Sequence, residues 1–341
     1  MPIHCFDPLR GRVEIVLVDS PALEHNLVDD PSTRQVAVYL PEGYDDTSAD
    51  YPVFIDLAGF TGSGLKHLSW QAFGESLPQR IDRLVSRGQM GPVVLVMPDA
   101  FTSLGGNQYI DSVALGRWEG FMFDDMLPAI EQRYRVRRGR DHRAVFGRSS
   151  GGYGALIYGM RHADKIAAVA CHSGDMHFDL LYRGDFARTL DVLARHERRI
   201  DKFLAHLAQT PKLSGDEFHA LLILAMAATY DPDPHSPAGI RLPFDVQTAV
   251  LDPAAWLRWL AHDPLTLVEQ APVQAHLRSL RTLFIDCGSQ DQYALHYGAR
   301  ALTRRLEALD IPHRYEEFPD NHSGIDYRLD HSLPALYQAV T

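Results

Sequence analysis

The sequence predicts an α/β fold, a mostly parallel central sheet flanked by helices and interrupted by one long helical insertion. Apolar runs at residues 52–57, 92–97, 143–146, 166–170 and 282–286 have strand length and alternate with helical patterns, the rhythm of successive β-α units. A serine turn, Gly147-Arg148-Ser149-Ser150-Gly151, joins one of those runs directly to a glycine-rich helix start. Residues 174–275 break the alternation with apolar positions at helical spacing. The chain therefore divides into a core of 1–173 and 276–341 and an insertion of 174–275.

Two strand-like runs, 13–18 and 35–40, precede the parallel set and read as antiparallel strands at its edge. The run 52–57 delivers Ala58-Gly59-Phe60-Thr61-Gly62 to the C-terminal edge of the sheet, where open α/β sheets gather their active sites. Ile81, Leu84 and Val85 share one face of a helix over 78–87. Pro98-Asp99-Ala100 ends the strand 92–97, and a glycine-rich loop, 101–116, follows on the same edge with Tyr109 and Asp111 as pocket candidates. A helix over 118–134 carries Asp124 and Asp125 on what reads as its solvated face.

In the insertion, Phe186, Leu190, Leu193, Ile200, Phe203, Leu204 and Leu207 recur at helical spacing. Ser214-Gly215-Asp216-Glu217 is a capping box before a helix over 218–230, and Asp231-Pro232-Asp233-Pro234 stops it. Asp252-Pro253 opens another helix containing Trp256 and Trp259. The insertion leaves the sheet at its active edge, which favours a cap over the serine, with Trp256 and Trp259 in an acyl pocket. A helical subdomain packed on the flank is the plainer alternative.

The chemistry starts at Ser149. In G-x-S-x-G between a strand and a helix, the serine must project from a strained turn, and the flanking glycines leave room for the neighbouring strand and helix. The partners follow in the chain order serine, aspartate, histidine, which belongs to the α/β-hydrolase arrangement. Asp291, on the loop Cys287-Gly288-Ser289-Gln290-Asp291, is favoured as the acid over Asp286 at the strand end. His322, in Pro319-Asp320-Asn321-His322-Ser323-Gly324, is favoured as the base over His331 at the start of the terminal helix. The backbone N–H groups of Phe60 and Ser150 are the candidate oxyanion donors. Arg148 is a candidate for sensing a substrate carboxylate, with a salt bridge beneath the site as its plainer role. His172 and His177 follow a strand into the insertion and read as structural.

Taken together, Leu40-Pro41-Glu42-Gly43-Tyr44, Leu57-Ala58-Gly59-Phe60, Gly105-Gly106-Asn107-Gln108-Tyr109, the segment 147–154, Cys287 to Asp291 and Asn321-His322-Ser323 resemble the Putative esterase family. That family includes esterase D (S-formylglutathione hydrolase), feruloyl esterases, enterochelin esterases and mycolyltransferases. The resemblance covers most of the chain outside the insertion and implies an α/β-hydrolase fold with serine esterase chemistry. Two positions depart from the pattern: Ser150 stands where the family usually has methionine, and Arg148 is unusual before the nucleophile. Acyl transfer through the same acyl-enzyme, and a non-catalytic binding module, are the alternatives to ester hydrolysis.

Composition narrows the partners. The 341 residues are 45% hydrophobic, enough for a large core. The formal net charge is -11 and no basic block stands out, which argues against nucleic acid and for a small-molecule ester. Cys5, Cys171 and Cys287 are too scattered for a disulfide framework or a zinc site, and the isolated histidines His4, His25, His67, His142, His162 and His196 match no metal motif. No cofactor or metal is expected, since Walker and dinucleotide fingerprints are missing too. The N-terminus reads as neither signal peptide nor membrane anchor, and the longest apolar stretch, 220–229, is too short to span a bilayer. A cytoplasmic protein without a membrane partner is the expectation, with homo-oligomer formation left open.

Overall fold

The computed structural model describes residues 7–341; His4 and Cys5 lie outside the described residues. An eight-stranded sheet runs β1 (Arg12–Asp19), β2 (Thr33–Leu40), β4 (Val94–Pro98), β3 (Val53–Leu57), β7 (Arg143–Arg148), β8 (Ala168–His172), β9 (Thr282–Gly288), β10 (Arg314–Phe318) across its width. β1 pairs antiparallel with β2, and β2 antiparallel with β4. Every later pair is parallel. The central strands β3, β4 and β8 are buried at every residue, which is why they read as unbroken apolar runs: helices cover both faces. In the loop after β4, a short hairpin of β5 (Asp111–Ser112) and β6 (Gly116–Arg117) forms a second small sheet.

One face is covered by α1 (Leu77–Ser86), capped by a Ser76–Gln79 capping box, and by the C-terminal α13 (Leu329–Val340). Leu77, Ile81, Leu84, Leu333 and Leu336 pack there against Phe54, Phe146 and Phe284. The other face carries the larger core, built on α4 (Ser150–Arg161) and the insertion. The expected helix over 118–134 is three pieces: α2 (Trp118–Gly120), a π-helical stretch Phe121–Met126, and α3 (Leu127–Arg133). Asp125 is not on a solvated face. Its Oδ2 accepts hydrogen bonds from the Ser20 hydroxyl at 2.5 Å and the Ala22 N–H at 3.3 Å, so it ties the turn after β1 to this helix.

Residues 174–275 are helical throughout their regular structure: α5 (Phe178–Leu181), α6 (Phe186–Ala194), α7 (Ile200–Leu207), α8 (Gly215–Tyr230), α9 (Pro253–Leu260), α10 (Pro264–Leu267) and the start of α11 (Ala271–Ser279). The Ser214–Glu217 capping box forms as its spacing requires. α8 is apolar on nearly all sides because it is the axis of this region, buried from Ile223 to Tyr230. α12 (Leu295–Ala308) then closes the last β-α unit before β10. Among the described residues no helix is long and apolar enough to cross a membrane.

Candidate active site

β7 ends at Arg148 and α4 begins at Ser150, so the chain must reverse on Ser149 alone. Ser149 does so at φ 58° and ψ -126°, a region that costs a non-glycine residue ~1–3 kcal/mol and persists only where the surroundings enforce it. Here its N–H donates to the His172 carbonyl at 2.9 Å, and its carbonyl accepts from the Tyr153 N–H at 2.9 Å. The flanking glycines are steric necessities. A Cβ on Gly151 would lie 1.8 Å from the Leu57 carbonyl oxygen, and one on Gly147 would lie 2.5 Å from the Gly151 backbone.

The loop leaving β3 reaches the same turn: a Cβ on Gly59 would stand 3.4 Å from the Ser149 Cβ. Phe60 is held in place by the loop 105–109. Its carbonyl accepts from the Gly106 N–H at 2.7 Å, and Gly106 is so close that a Cβ there would sit 2.5 Å from the Phe60 Cα. The Tyr109 hydroxyl donates to the Ala58 carbonyl at 2.6 Å. Tyr109 is buried, with its ring against Gly154, and does not line the cavity. Its place is beneath the loop, where it fixes the backbone rather than a substrate.

On the far side of the cavity, Asp291 Oδ2 lies 2.7 Å from His322 Nδ1, while Asp291 Oδ1 accepts from the Tyr293 N–H at 2.8 Å. The His322 N–H donates to Gln292 Oε1 at 3.0 Å, and its ring packs edge-on to Tyr293 at 4.9 Å. Asp291 is buried, and the His322 side chain, which lines the cavity, keeps 12% exposure. The rivals sit elsewhere. Asp286 Oδ1 is 2.7 Å from His172 Nδ1, and His172 Nε2 is 2.9 Å from the Ser332 hydroxyl, a buried relay that ties β8 and β9 to α13. His331 stands on the surface 3.4 Å from Glu316.

Ser149, Ser150, Phe60 and His322 all line one cavity of about 240 Å³. The insertion supplies part of the wall through Leu181, Tyr182, Phe218 and Leu222, and the Phe218 ring meets Phe60 edge-on at 5.8 Å. Arg148 lines the rim and its guanidinium donates to Asp326 at 3.0 Å. The placement of Trp256 and Trp259 in an acyl pocket is corrected. Both are buried 5.5 Å from each other in an aromatic cluster with Phe186, Tyr182 and Tyr230, and Trp256 Nε1 donates to Asp179 at 3.0 Å. Helical spacing marks a buried face without saying whether it meets a core or a cavity.

One cavity group and its buried partner escaped the sequence. Asp175 lines the cavity, and its carboxyl is pushed up to about 6, first by burial and against the opposing pull of the Tyr182 hydroxyl, the His322 charge and Gln108. Gln108 Nε2 donates to the Ser150 hydroxyl at 3.0 Å and to Asp175 Oδ2 at 3.1 Å. The available signal was an aspartate, Asp175, three residues past the end of β8 on the active edge. Among the described residues no cluster of histidine, cysteine and carboxylate side chains could hold a metal ion.

Comparison with known proteins agrees with this architecture. The model of the Putative esterase family matches residues 31–332. Esterase Rv1288 of Mycobacterium tuberculosis (strain ATCC 25618 / H37Rv) is 30% identical over 141 residues, 41% of this chain and 28% of that protein, so the chain spans under a third of that relative. A ferulic acid esterase superposes with a TM-score of 0.63 at 22% identity, covering 98% of this chain and 100% of the other. The S-formylglutathione hydrolase FrmB of Staphylococcus aureus gives a TM-score of 0.58 at 15% identity over 97% and 99% of the two chains. The ferulic acid esterase AmCE1/Fae1A of Anaeromyces mucronatus, in complex with ferulic acid, gives 0.57 at 15% over 97% and 92%. At these identities the superpositions speak for the fold, an α/β-hydrolase fold, and the family model speaks for membership: the chain belongs to the Putative esterase family.

Proposed function

We propose that the chain is a serine hydrolase of small-molecule carboxylic esters, working through an acyl-enzyme on Ser149 with His322 and Asp291. The observation that carries this reading is the convergence on one cavity of a strained Ser149 and an Asp291–His322 pair 2.7 Å apart. With Asp291 opposite Nδ1, the imidazole proton is held there and Nε2 is left to take the Ser149 proton. Ser149 Oγ attacks the ester carbonyl, and the oxyanion develops toward the Phe60 N–H on the loop after β3 and the Ser150 N–H at the start of α4, where the helix dipole adds to the field. The imidazolium then protonates the leaving alcohol. A water molecule repeats the cycle on the acyl-enzyme and releases the acid. Nothing in this sequence of steps calls for a cofactor. Residues 174–275 act as the cap, a role supported by Leu181, Tyr182, Phe218 and Leu222 on the cavity wall.

A fluorophosphonate probe tests the nucleophile. Labelling of the native chain, lost in Ser149→Ala and kept in Ser150→Ala, is the expected result. Turnover of p-nitrophenyl esters should fall ~10⁴-fold or more in Ser149→Ala. The reverse pattern between the two serines would move the nucleophile, and no labelling of the native chain would remove the hydrolase reading in favour of a binding module.

A further inference from the structure

Within the cavity, the leaving alcohol must stay within reach of His322, on the side lined by Gln292 and Ser323. The insertion lines the same cavity with Leu181, Tyr182, Phe218 and Leu222, the wall left for the acyl group. The polar groups of that wall are the Tyr182 hydroxyl and Asp175, which is 6% exposed. Both of its hydrogen bonds fall on one oxygen: Gln108 Nε2 and the Tyr182 hydroxyl each donate to Oδ2 at 3.1 Å. Among the described residues Oδ1 has no donor. Gln108 is wholly buried outside the cavity lining, and its Nε2 hydrogen bond holds the carboxylate in place. A carboxylate oxygen that lines a cavity and receives no hydrogen bond from the protein is open to a donor on the substrate. The Ser149–His322–Asp291 chemistry has no use for it.

Resting on the hydrolase reading above, we propose that Asp175, with Gln108, selects esters whose acyl group carries a hydroxyl, which donates to Asp175 Oδ1. Burial raises the Asp175 carboxyl toward the neutral range, so it keeps a proton more readily than an exposed aspartate while still serving as an acceptor at neutral pH. A hydroxyl satisfies it without bringing a second charge into the wall. An acyl carboxylate meets like charge there and is rejected.

The test compares p-nitrophenyl hexanoate with its 6-hydroxyhexanoate and hexanedioate monoester counterparts, and butanoate with 3-hydroxybutanoate, taking the hydroxyl position that gives the larger ratio. The native chain should prefer the hydroxylated member by roughly tenfold or more in kcat/KM and should turn over the hexanedioate monoester worst. Asp175→Leu should bring the hydroxyl-to-plain ratio to unity or below. Asp175→Asn, nearly the same size, serves where the leucine variant does not fold: it should relax the rejection of the hexanedioate monoester and reduce the hydroxyl ratio. Labelling by a fluorophosphonate is read on every variant. A native chain that is labelled and cleaves hydroxylated and plain esters alike, or a ratio that both variants leave unchanged, overturns the role of Asp175. A native chain that is neither labelled nor active overturns the hydrolase reading, and the proposal with it.

Discussion

At Gly151 the sequence pattern becomes a distance. A methyl group there would sit 1.8 Å from the Leu57 carbonyl oxygen, backbone that cannot swing aside. Gly151→Ala should therefore displace α4 or β3 and lower the melting temperature sharply, by several kcal/mol of stability, on the order of ~3–5. Gly215→Ala, where a Cβ meets nothing, is the control. The two aspartates separate by the same logic. Asp291→Asn should cost several orders of magnitude in kcat by permitting the wrong imidazole tautomer, ~10⁴-fold in a triad of this kind. Asp286→Asn should instead destabilise the chain, because Asp286 Oδ2 accepts from Arg328 at 3.0 Å and Oδ1 faces His172. Equal kinetic losses at both positions would leave the acid unassigned. The Ser149 turn and the pairing of Asp291 with His322 were legible because each residue lies in a short segment whose spacing is itself geometric. Asp175 and Gln108 were not, since their network joins residues 108, 150, 175 and 182, and no local pattern announces a meeting of separate loops.

Helices and strands were legible to the extent that their periodicity has one cause. The Ser214–Glu217 capping box and the buried parallel strands are local or nearly so, and they form as read. The order of the sheet is not local: β4 inserts between β2 and β3, a placement that no run of residues encodes. The π-helical stretch Phe121–Met126 likewise answers to tertiary packing, with Phe121, Met122, Phe123 and Met126 all buried. Trp256 and Trp259 illustrate the same limit within the insertion: their apolar stripe faces a core of aromatic rings, while Leu181 and Tyr182 at the end of α5 and Phe218 and Leu222 on α8 reach the cavity. Removing either tryptophan should lower the melting temperature, by ~3–5 kcal/mol of stability for a buried aromatic, and leave the ranking of C2, C4 and C8 esters as it was. Phe218→Ala should do the opposite. It removes the edge contact with Phe60 and widens the wall, so longer acyl groups should gain relative to short ones. Measuring kcat/KM across the ester series beside thermal melts decides between them; an unchanged ranking in Phe218→Ala would place the acyl group on another wall.

The stability of the whole chain should carry two opposed pH dependences from two buried groups, His262 and Asp175. His262 is held down to about 4, first by burial and then by the Arg161 guanidinium, whose NH2 lies 3.2 Å from Nδ1, while Tyr230 stacks on its ring at 5.4 Å. Between pH 6.5 and 4 the unfolded chain binds a proton at this residue that the folded chain refuses. Stability contributed here is present above pH 6.5 and is lost as the pH falls through that window, by up to about 3 kcal/mol. Asp175 works the other way. Its folded carboxyl, raised to about 6, keeps a proton that the unfolded chain has released above 3.8, so its contribution declines as the pH rises from 3.8 to 6 and is level beyond. Urea unfolding at pH 4.5 and pH 7 therefore separates them: relative to the native chain, His262→Gln should be more stable at pH 4.5 than at pH 7, and Asp175→Asn should be more stable at pH 7 than at pH 4.5. Slopes of the same sign would show that one of the two groups titrates in the folded chain as it does in the unfolded one.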